Sequence, residues 1–336
     1  MNTSVNTSVE ASKLGDGSTD PAKPDKAAKT DRSVFGLVKR TISEAGDDKI
    51  PRLAASLAYY TLLSLSPLLI LAVAMVGLVF GEDAARGQIA EQLQQVFGAQ
   101  AGEAIQAMIA NSNKPDSGIL SSIVGMVVLL FGASGVFGEL QDSLNTIWEV
   151  APRPGRGILG IVKDRFLSFT MVLGVAFLLL VSLVISAGLA AIGNWLSSFA
   201  GVEWLWQIVN FIVSLGLVSL LFALVFKVIP DVKVRWRDVW LGALVTGALF
   251  TLGKFLIGLY VGKAGVASPY GAAGSLVVIV VWVFYSAHIL FIGAEFTQVH
   301  TRAMGAPVEP KRGAIPVTEE ARAQQGIPHT PSNAHS

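Results

Sequence analysis

The sequence predicts an all-α polytopic membrane protein: six transmembrane helices, both ends in the cytoplasm, and short amphipathic helices at the inner and outer faces. Three observations carry this. Six stretches are each near or above the roughly 20 residues that a hydrocarbon core requires: Leu57–Gly81, Ile119–Gly138, Phe166–Gly193, Gln207–Phe226, Trp240–Val261 and Gly274–Val299. The basic residues between them alternate sides. Lys39, Arg40, Lys49 and Arg52 precede the first stretch, and Arg153, Arg156, Lys163 and Arg165 follow the second. Lys227, Lys233, Arg235 and Arg237 follow the fourth, and Arg302, Lys311 and Arg312 follow the sixth. The intervening loops carry only Arg86 and Lys114, then none, then Lys263. Positive charge stays on the cytoplasmic side, which places both termini inside. Finally, Trp195, Trp204 and Trp206 sit at outer ends of spans and Trp148, Trp236 and Trp240 near inner ends, as in an interfacial aromatic belt.

Composition agrees with lipid as the main solvent. Only 15% of residues are charged, against about 25% in soluble domains. A net charge of +1 without a clustered basic face argues against a nucleic-acid partner. The absence of cysteine removes disulfides, thiol catalysis and Cys-based metal sites together. The first apolar run is too long for a cleaved signal and is expected to act as an uncleaved anchor.

Along the chain, residues 1–32 are polar and bury almost nothing, so a disordered cytoplasmic tail is expected. A membrane domain is assigned to 33–302. Residues 303–336, broken by Pro307, Pro310, Pro316, Pro328 and Pro331, are expected to form a second disordered tail. Before the first span, Phe35, Val38 and Ile42 have helical spacing beside Lys39 and Arg40, which suits a short helix resting on lipid or on the protein. Gly46 is its expected stop, Asp47 or Asp48 the expected N-cap of the next helix, and Pro51 falls in that helix's first turn. Pro67 should kink the first span, with Thr61, Ser64 and Ser66 near enough to satisfy the freed carbonyls.

The outer loop, 82–118, is the one large connection. Ile89, Leu93, Val96 and Phe97, then Ile105, Met108 and Ile109, predict two short amphipathic helices there. Gly132, Gly135 and Gly138 in the second span, and Gly242, Gly247, Gly253 and Gly258 in the fifth, allow close helix approach inside a bundle. Gly262–Gly271 is expected to be a tight outer reversal between packed helices, with a flexible gate as the alternative.

Ionisable groups inside spans are functional candidates because they are costly there. There are three: Lys254, His288 and Glu295. At ~1.5 Å rise per residue, Lys254 lies in the outer third and meets neither of the others; it is expected to snorkel outward. On the sixth span, Tyr285, His288, Ile292 and Glu295 fall within roughly an 80° arc at 100° per residue. This polar stripe is the candidate translocation path. Glu295 lies at the depth of Glu139, Lys163 and Arg165, so an inner-leaflet ion pair with that set is its plainer explanation.

Gly132-Ala133-Ser134-Gly135 spells G-x-S-G, and with His288 it could mimic the Ser–His dyad of rhomboid proteases. The serine is on the wrong span and at the wrong depth, and in a Gly-rich helix it more often bonds its own backbone. An enzyme is not expected. His300, His329 and His335 are scattered, with no metal-binding spacing, and no phosphate-cradling loop occurs, so no metal or other cofactor is expected.

Several segments together resemble one known family. They are Leu57-Ala58-Tyr59-Tyr60-Thr61-Leu62-Leu63-Ser64-Leu65-Ser66-Pro67-Leu68, Ala110-Asn111-Ser112, Ser143-Leu144-Asn145-Thr146-Ile147-Trp148, Ile229-Pro230-Asp231-Val232-Lys233-Val234, Tyr270-Gly271-Ala272-Ala273-Gly274-Ser275 and Gly293-Ala294-Glu295. In this order they resemble the YihY/BrkB family of bacterial inner-membrane proteins, from about Ser33 to Arg302. The resemblance implies six spans with cytoplasmic ends. It implies no settled activity: members have been labelled ribonuclease BN, a name regarded as misassigned, or virulence factors, and some are linked to lipid movement. No catalytic residues carry over.

The expected function is therefore envelope homeostasis through transport or flipping of a lipid or other amphipathic molecule. Without an ATPase motif, such transport would be gradient-driven, passive or partner-dependent. The alternative is a scaffold that docks periplasmic envelope proteins through 82–118. Membrane lipids are expected partners, and self-association into a homo-oligomer is left open.

Overall fold

A computed structural model of the protein describes residues 33–81, 83–87, 89, 106, 119–154, 203–264 and 274–324. The third apolar stretch, with Lys163 and Arg165 before it, lies outside the described residues, as do both chain ends and most of the outer loop and the Gly-rich reversal. The described elements are α1 (Val34–Asp47), α2 (Ile50–Phe80), α3 (Ile119–Ile147), β1 (Val150–Pro152), α4 (Glu203–Val228) and β2 (Val232–Lys233). They continue with α5 (Trp236–Ala264), α6 (Gly274–Ala303), β3 (Glu309–Pro310), β4 (Ala314–Pro316) and α7 (Glu319–Gln324). Residues 206–228, 236–257 and 276–303 are long and apolar enough to cross a membrane. With 31 and 29 residues, α2 and α3 have spanning length too. Of the outer loop, residues 83–87, 89 and 106 are helical.

α6 is the hub, packing against α1, α2, α3 and α5, while α2 pairs with α3 and α4 with α5. In lipid there is little hydrophobic drive between helices, so close backbone approach must supply contact. The α5–α6 seam shows how. A Cβ added at Gly242 of α5 would lie 1.8 Å from Thr297 Oγ1 of α6, and one at Gly293 of α6 would lie 1.9 Å from Thr246 Oγ1 of α5. Each threonine thus fills the hollow left by the other helix's glycine. The hydroxyls are satisfied locally, Thr246 Oγ1 donating to the Gly242 carbonyl at 2.6 Å and Thr297 Oγ1 to the Gly293 carbonyl at 2.7 Å. Gly-x-x-x-Thr on two helices makes one interlock.

The α2–α3 seam uses a proline as its knob. Pro67 Cγ stands 2.9 Å from where a Cβ at Gly132 would be, and Tyr60 and Ser64 face Gly135. Ser64 Oγ donates to the Gly132 carbonyl of α3 at 2.6 Å, and Thr61 Oγ1 to the Leu57 carbonyl at 2.7 Å. Neither serves the Leu63 carbonyl that Pro67 leaves free. The expectation is corrected for these two, the Ser66 side chain lying outside the described residues: the close approach at Gly132 draws Ser64 across the seam. The glycines of the G-x-S-G tetrapeptide are packing positions.

α1 begins at an N-cap, Ser33 Oγ accepting from the Gly36 N–H at 3.0 Å. Leu37 packs with Val299 and Ala303 of α6, while Phe35, Val38 and Ile42 remain exposed. The helix runs past Gly46 to Asp47, and the reversal is made by Lys49 in the left-handed region at φ 55°. Lys49, not Asp47 or Asp48, holds the N-cap position of α2, and no side chain caps it; Pro51 is in the first turn as the sequence predicts. The Asp48 carboxylate is engaged elsewhere.

The largest departure is the segment after α6. Residues 303–324 were expected to be disordered, yet they form a folded arm. β4 pairs antiparallel with β1 (Ala151 opposite Ile315), and β3 pairs antiparallel with β2 (Val232 opposite Pro310). Lys311 Nζ donates to the Val228 and Pro230 carbonyls at 3.0 and 2.7 Å, closing the end of α4. Burial pulls the Lys311 ammonium below its usual range. The arm lies over a core of Leu144, Ile147, Trp148, Phe226, Val232 and Phe291, each fully or almost fully buried.

Candidate functional site

At this arm end of the bundle, four chain segments bring their charges to one place. α6 contributes Glu295, with no exposed surface, and Arg302 about two turns beyond. The α1–α2 turn supplies Asp48, and α1 supplies Glu44. Glu149 follows α3, held at φ 54°, a left-handed backbone that is unusual outside glycine. The arm supplies Arg322, 3% exposed.

Arg322 bridges two acids, Nη2 to Asp48 Oδ1 at 2.6 Å and Nη1 to Glu149 Oε1 at 3.3 Å. Arg302 takes the other Glu149 oxygen at 2.6 Å and lies 3.9 Å from Glu44 Oε2. Arg40 Nε holds the second Glu44 oxygen at 2.6 Å. Glu295 is different. Neither of its oxygens meets a donor among the described residues. The groups acting on it are the Asp48 carboxyl, which faces it as its hydrogen-bonding side chain, then Glu44 and Arg302. Burial pushes the Asp48 carboxyl up to about 6 against the pull of Arg322, with Glu149 adding to the rise and Glu295 opposing it. Beside the cluster a cleft of about 180 Å³ opens between Asp142, Asn145, Glu149, Pro152 and Arg322.

The polar stripe of α6 is divided by its neighbours. The Tyr285 ring lies over Gly253 of α5, its hydroxyl 2.4 Å from where a Cβ there would stand. His288 leans on Phe284 at 5.7 Å between ring centroids, and its Nδ1 has no hydrogen-bond partner among the described residues. Glu295 faces the α1–α2 turn. Glu139 is not among the groups that act most strongly on Glu295, and Lys163 and Arg165 lie outside the described residues. Lys254 is exposed on α5, where lipid would surround it. Among the described residues no group of three or more His, Asp or Glu could hold a metal ion.

The segments behind the resemblance meet one another here. Asn145 Nδ2 donates to Asp231 Oδ2 at 3.2 Å, and the Asp231 N–H donates to Asn145 Oδ1 at 2.8 Å. Gln298 donates to the Ile147 carbonyl. Residues 41–315 match the family model described as Virulence factor BrkB. The chain belongs to the BrkB family. It is 28% identical over 260 residues to a UPF0761 membrane protein of Tolumonas auensis, covering 74% of this chain and 80% of that one. A UPF0761 membrane protein of Pseudomonas aeruginosa is 27% identical over 253 residues, 74% of this chain and 58% of its own length. YfkH of Bacillus subtilis, named ribonuclease-like, is 26% identical over 263 residues, 76% and 92% of the two chains. No solved structure matches. This BrkB-family chain is a membrane protein, and Arg322 lies beyond the part that the family model matches.

Asp48, Glu149, Arg302 and Arg322 were not singled out by sequence reasoning. The one available signal was local: Glu149 interrupts the apolar run Ile147-Trp148 … Val150 where a helix C-terminus usually carries glycine.

Proposed function

We propose that this BrkB-family protein is a six-span protein of the bacterial inner membrane, with the arm end in the cytoplasm. Its role is to move an amphipathic envelope molecule, a lipid, between leaflets rather than to act as an enzyme. The observation that carries this reading is the set of polar atoms inside α6: Ser286 Oγ and His288 Nδ1 have no hydrogen-bond partner among the described residues, and neither Glu295 oxygen meets a donor there. Polar groups at membrane depth are costly, and they persist where they line a path or exchange partners during a motion. The exposed apolar row of α1 (Phe35, Val38, Ile42) adds a helix able to lie in the inner leaflet beside that path.

Purified protein in liposomes tests this. Fluorescent phospholipid should equilibrate between leaflets, and His288→Ala or Glu295→Gln should abolish the movement while the protein stays folded. Wild-type vesicles no faster than empty ones would reject transport. A stable periplasmic partner cross-linked to 82–118 would then favour the scaffold.

A further inference from the structure

We infer that Asp48 and Glu295 share a single proton, and that Arg322 of the C-terminal arm closes this proton site off from solvent. The inference concerns the pair itself and holds whether or not the protein moves a lipid.

Charge counting leads to it. The groups that face the pair are Arg322 from α7, Glu149 from the end of α3, Glu44 from α1 and Arg302 from α6. Arg40 pairs with Glu44 behind them. Among the described residues, four carboxyls (Glu44, Asp48, Glu149, Glu295) therefore meet three guanidiniums (Arg40, Arg302, Arg322) in the ion pairs of the cluster, one cation fewer than its acids. Glu295 is the member with no donor and no exposed surface. A carboxylate buried without a donor is among the most expensive arrangements in a protein. Two carboxylates cannot hydrogen-bond to each other, but a carboxyl and a carboxylate can, and two that share a site retain one proton. One proton between Asp48 and Glu295 neutralises the cluster and supplies the missing hydrogen bond. The burial that lifts Asp48 to about 6 acts in the same direction.

The geometry also places a door. Asp48 is 3% exposed, and its Oδ1 is held by Arg322. The cleft beside the cluster reaches Arg322 and Glu149 but is not lined by Asp48 or Glu295. A proton entering from the cleft must pass Arg322, which the arm holds through the Val317 N–H on the Glu149 carbonyl at 2.9 Å.

Infrared spectroscopy of the full chain in lipid nanodiscs, with exchange from water into heavy water, tests both parts. Wild-type protein at pH 7 should show one protonated-carboxyl stretch that is lost in Glu295→Gln and also in Asp48→Asn, since either amide supplies the donor. Absence of the stretch in wild type, as when a bound cation supplies the missing charge, would overturn the shared proton. Its survival in Asp48→Asn would overturn it too, because Glu295 would then hold the proton alone. In Arg322→Gln, deuterium should reach the carboxyl on the order of tenfold faster or more; an unchanged rate overturns the door. If that variant does not fold, wild type still decides. As mild denaturant opens the arm, carboxyl exchange should accelerate in proportion to exchange of the Val317 amide, and carboxyl exchange indifferent to that opening would show that the arm is no barrier.

Discussion

The two ends of the described helices are held by different forces. Toward the arm, α4 buries Phe222, Ala223, Val225 and Phe226, and α5 buries Val239, Ala243 and Thr246. Away from it, the same helices expose Ile208, Val209, Phe211 and Ile212, then Leu252, Phe255 and Leu256. An exposed leucine costs nothing where lipid is the solvent, so burial is not what holds that half together; glycine-mediated approach is. At the arm end the bundle closes with apolar core, strand pairing and charge pairs. The difference teaches where each substitution should be felt. Changes at the arm end should act through charge and desolvation, and changes in the membrane half through shape.

The largest expected effect is at the arm end. Arg322→Ala leaves Asp48 without its cation and Glu149 with one fewer, a loss of ~3–5 kcal/mol when one partner of a buried pair is removed. Thermal unfolding followed by size-exclusion chromatography should show a markedly lower midpoint, while the exposed Lys233–Glu309 pair, at ~0–1 kcal/mol, should be removable with little change. At the α5–α6 seam, where the two halves meet, Gly293→Ala should cost about 1–3 kcal/mol through overpacking against Thr246. Adding Thr246→Gly should recover part of it, and failure of that rescue would break the interlock. Next comes Asn145→Ala, which strips Asp231 of two hydrogen bonds and should cost about 1–3 kcal/mol.

The smallest effect is a pH slope. The folded Asp48 carboxyl sits above its ordinary value of 3.8, near 6, so the folded state binds this proton more tightly than the unfolded state. Its contribution to stability should rise as pH falls from about 6 toward 3.8 and stay flat above that window. Wild type and Asp48→Asn, melted in parallel across that range, should differ in slope in that sense. Parallel curves would remove Asp48 from the account.

Much of the architecture was legible in the sequence because it obeys one rule, that backbone in lipid must be helical. The helices α2 to α6 contain the apolar stretches that predicted them, and Pro51 stands in the first turn where it was placed. The interlock was only partly legible: Gly242 was noted as a packing position, while Gly293 and the two threonines were not, because Gly-x-x-x-Thr gains meaning only when two helices are seen face to face. The arm was misread for a physical reason. Three prolines (Pro307, Pro310, Pro316) and two- or three-residue strands leave no period to detect, and Pro310 and Pro316 tolerate strand positions only at an edge. The charge cluster is less legible still, since Glu44, Asp48, Glu149, Glu295, Arg302 and Arg322 come from separate stretches. Glu295 was visible as an ionisable group inside a span, but its neighbours could be named only from the fold.

Hydrogen exchange of the full chain in nanodiscs, read by mass spectrometry over 309–324, tests most directly that the arm is a folded part of this bundle. Protection comparable to that of the α6 core, collapsing in Arg322→Ala, is the expected result. Exchange at the rate of an unstructured peptide in wild type would contradict the account.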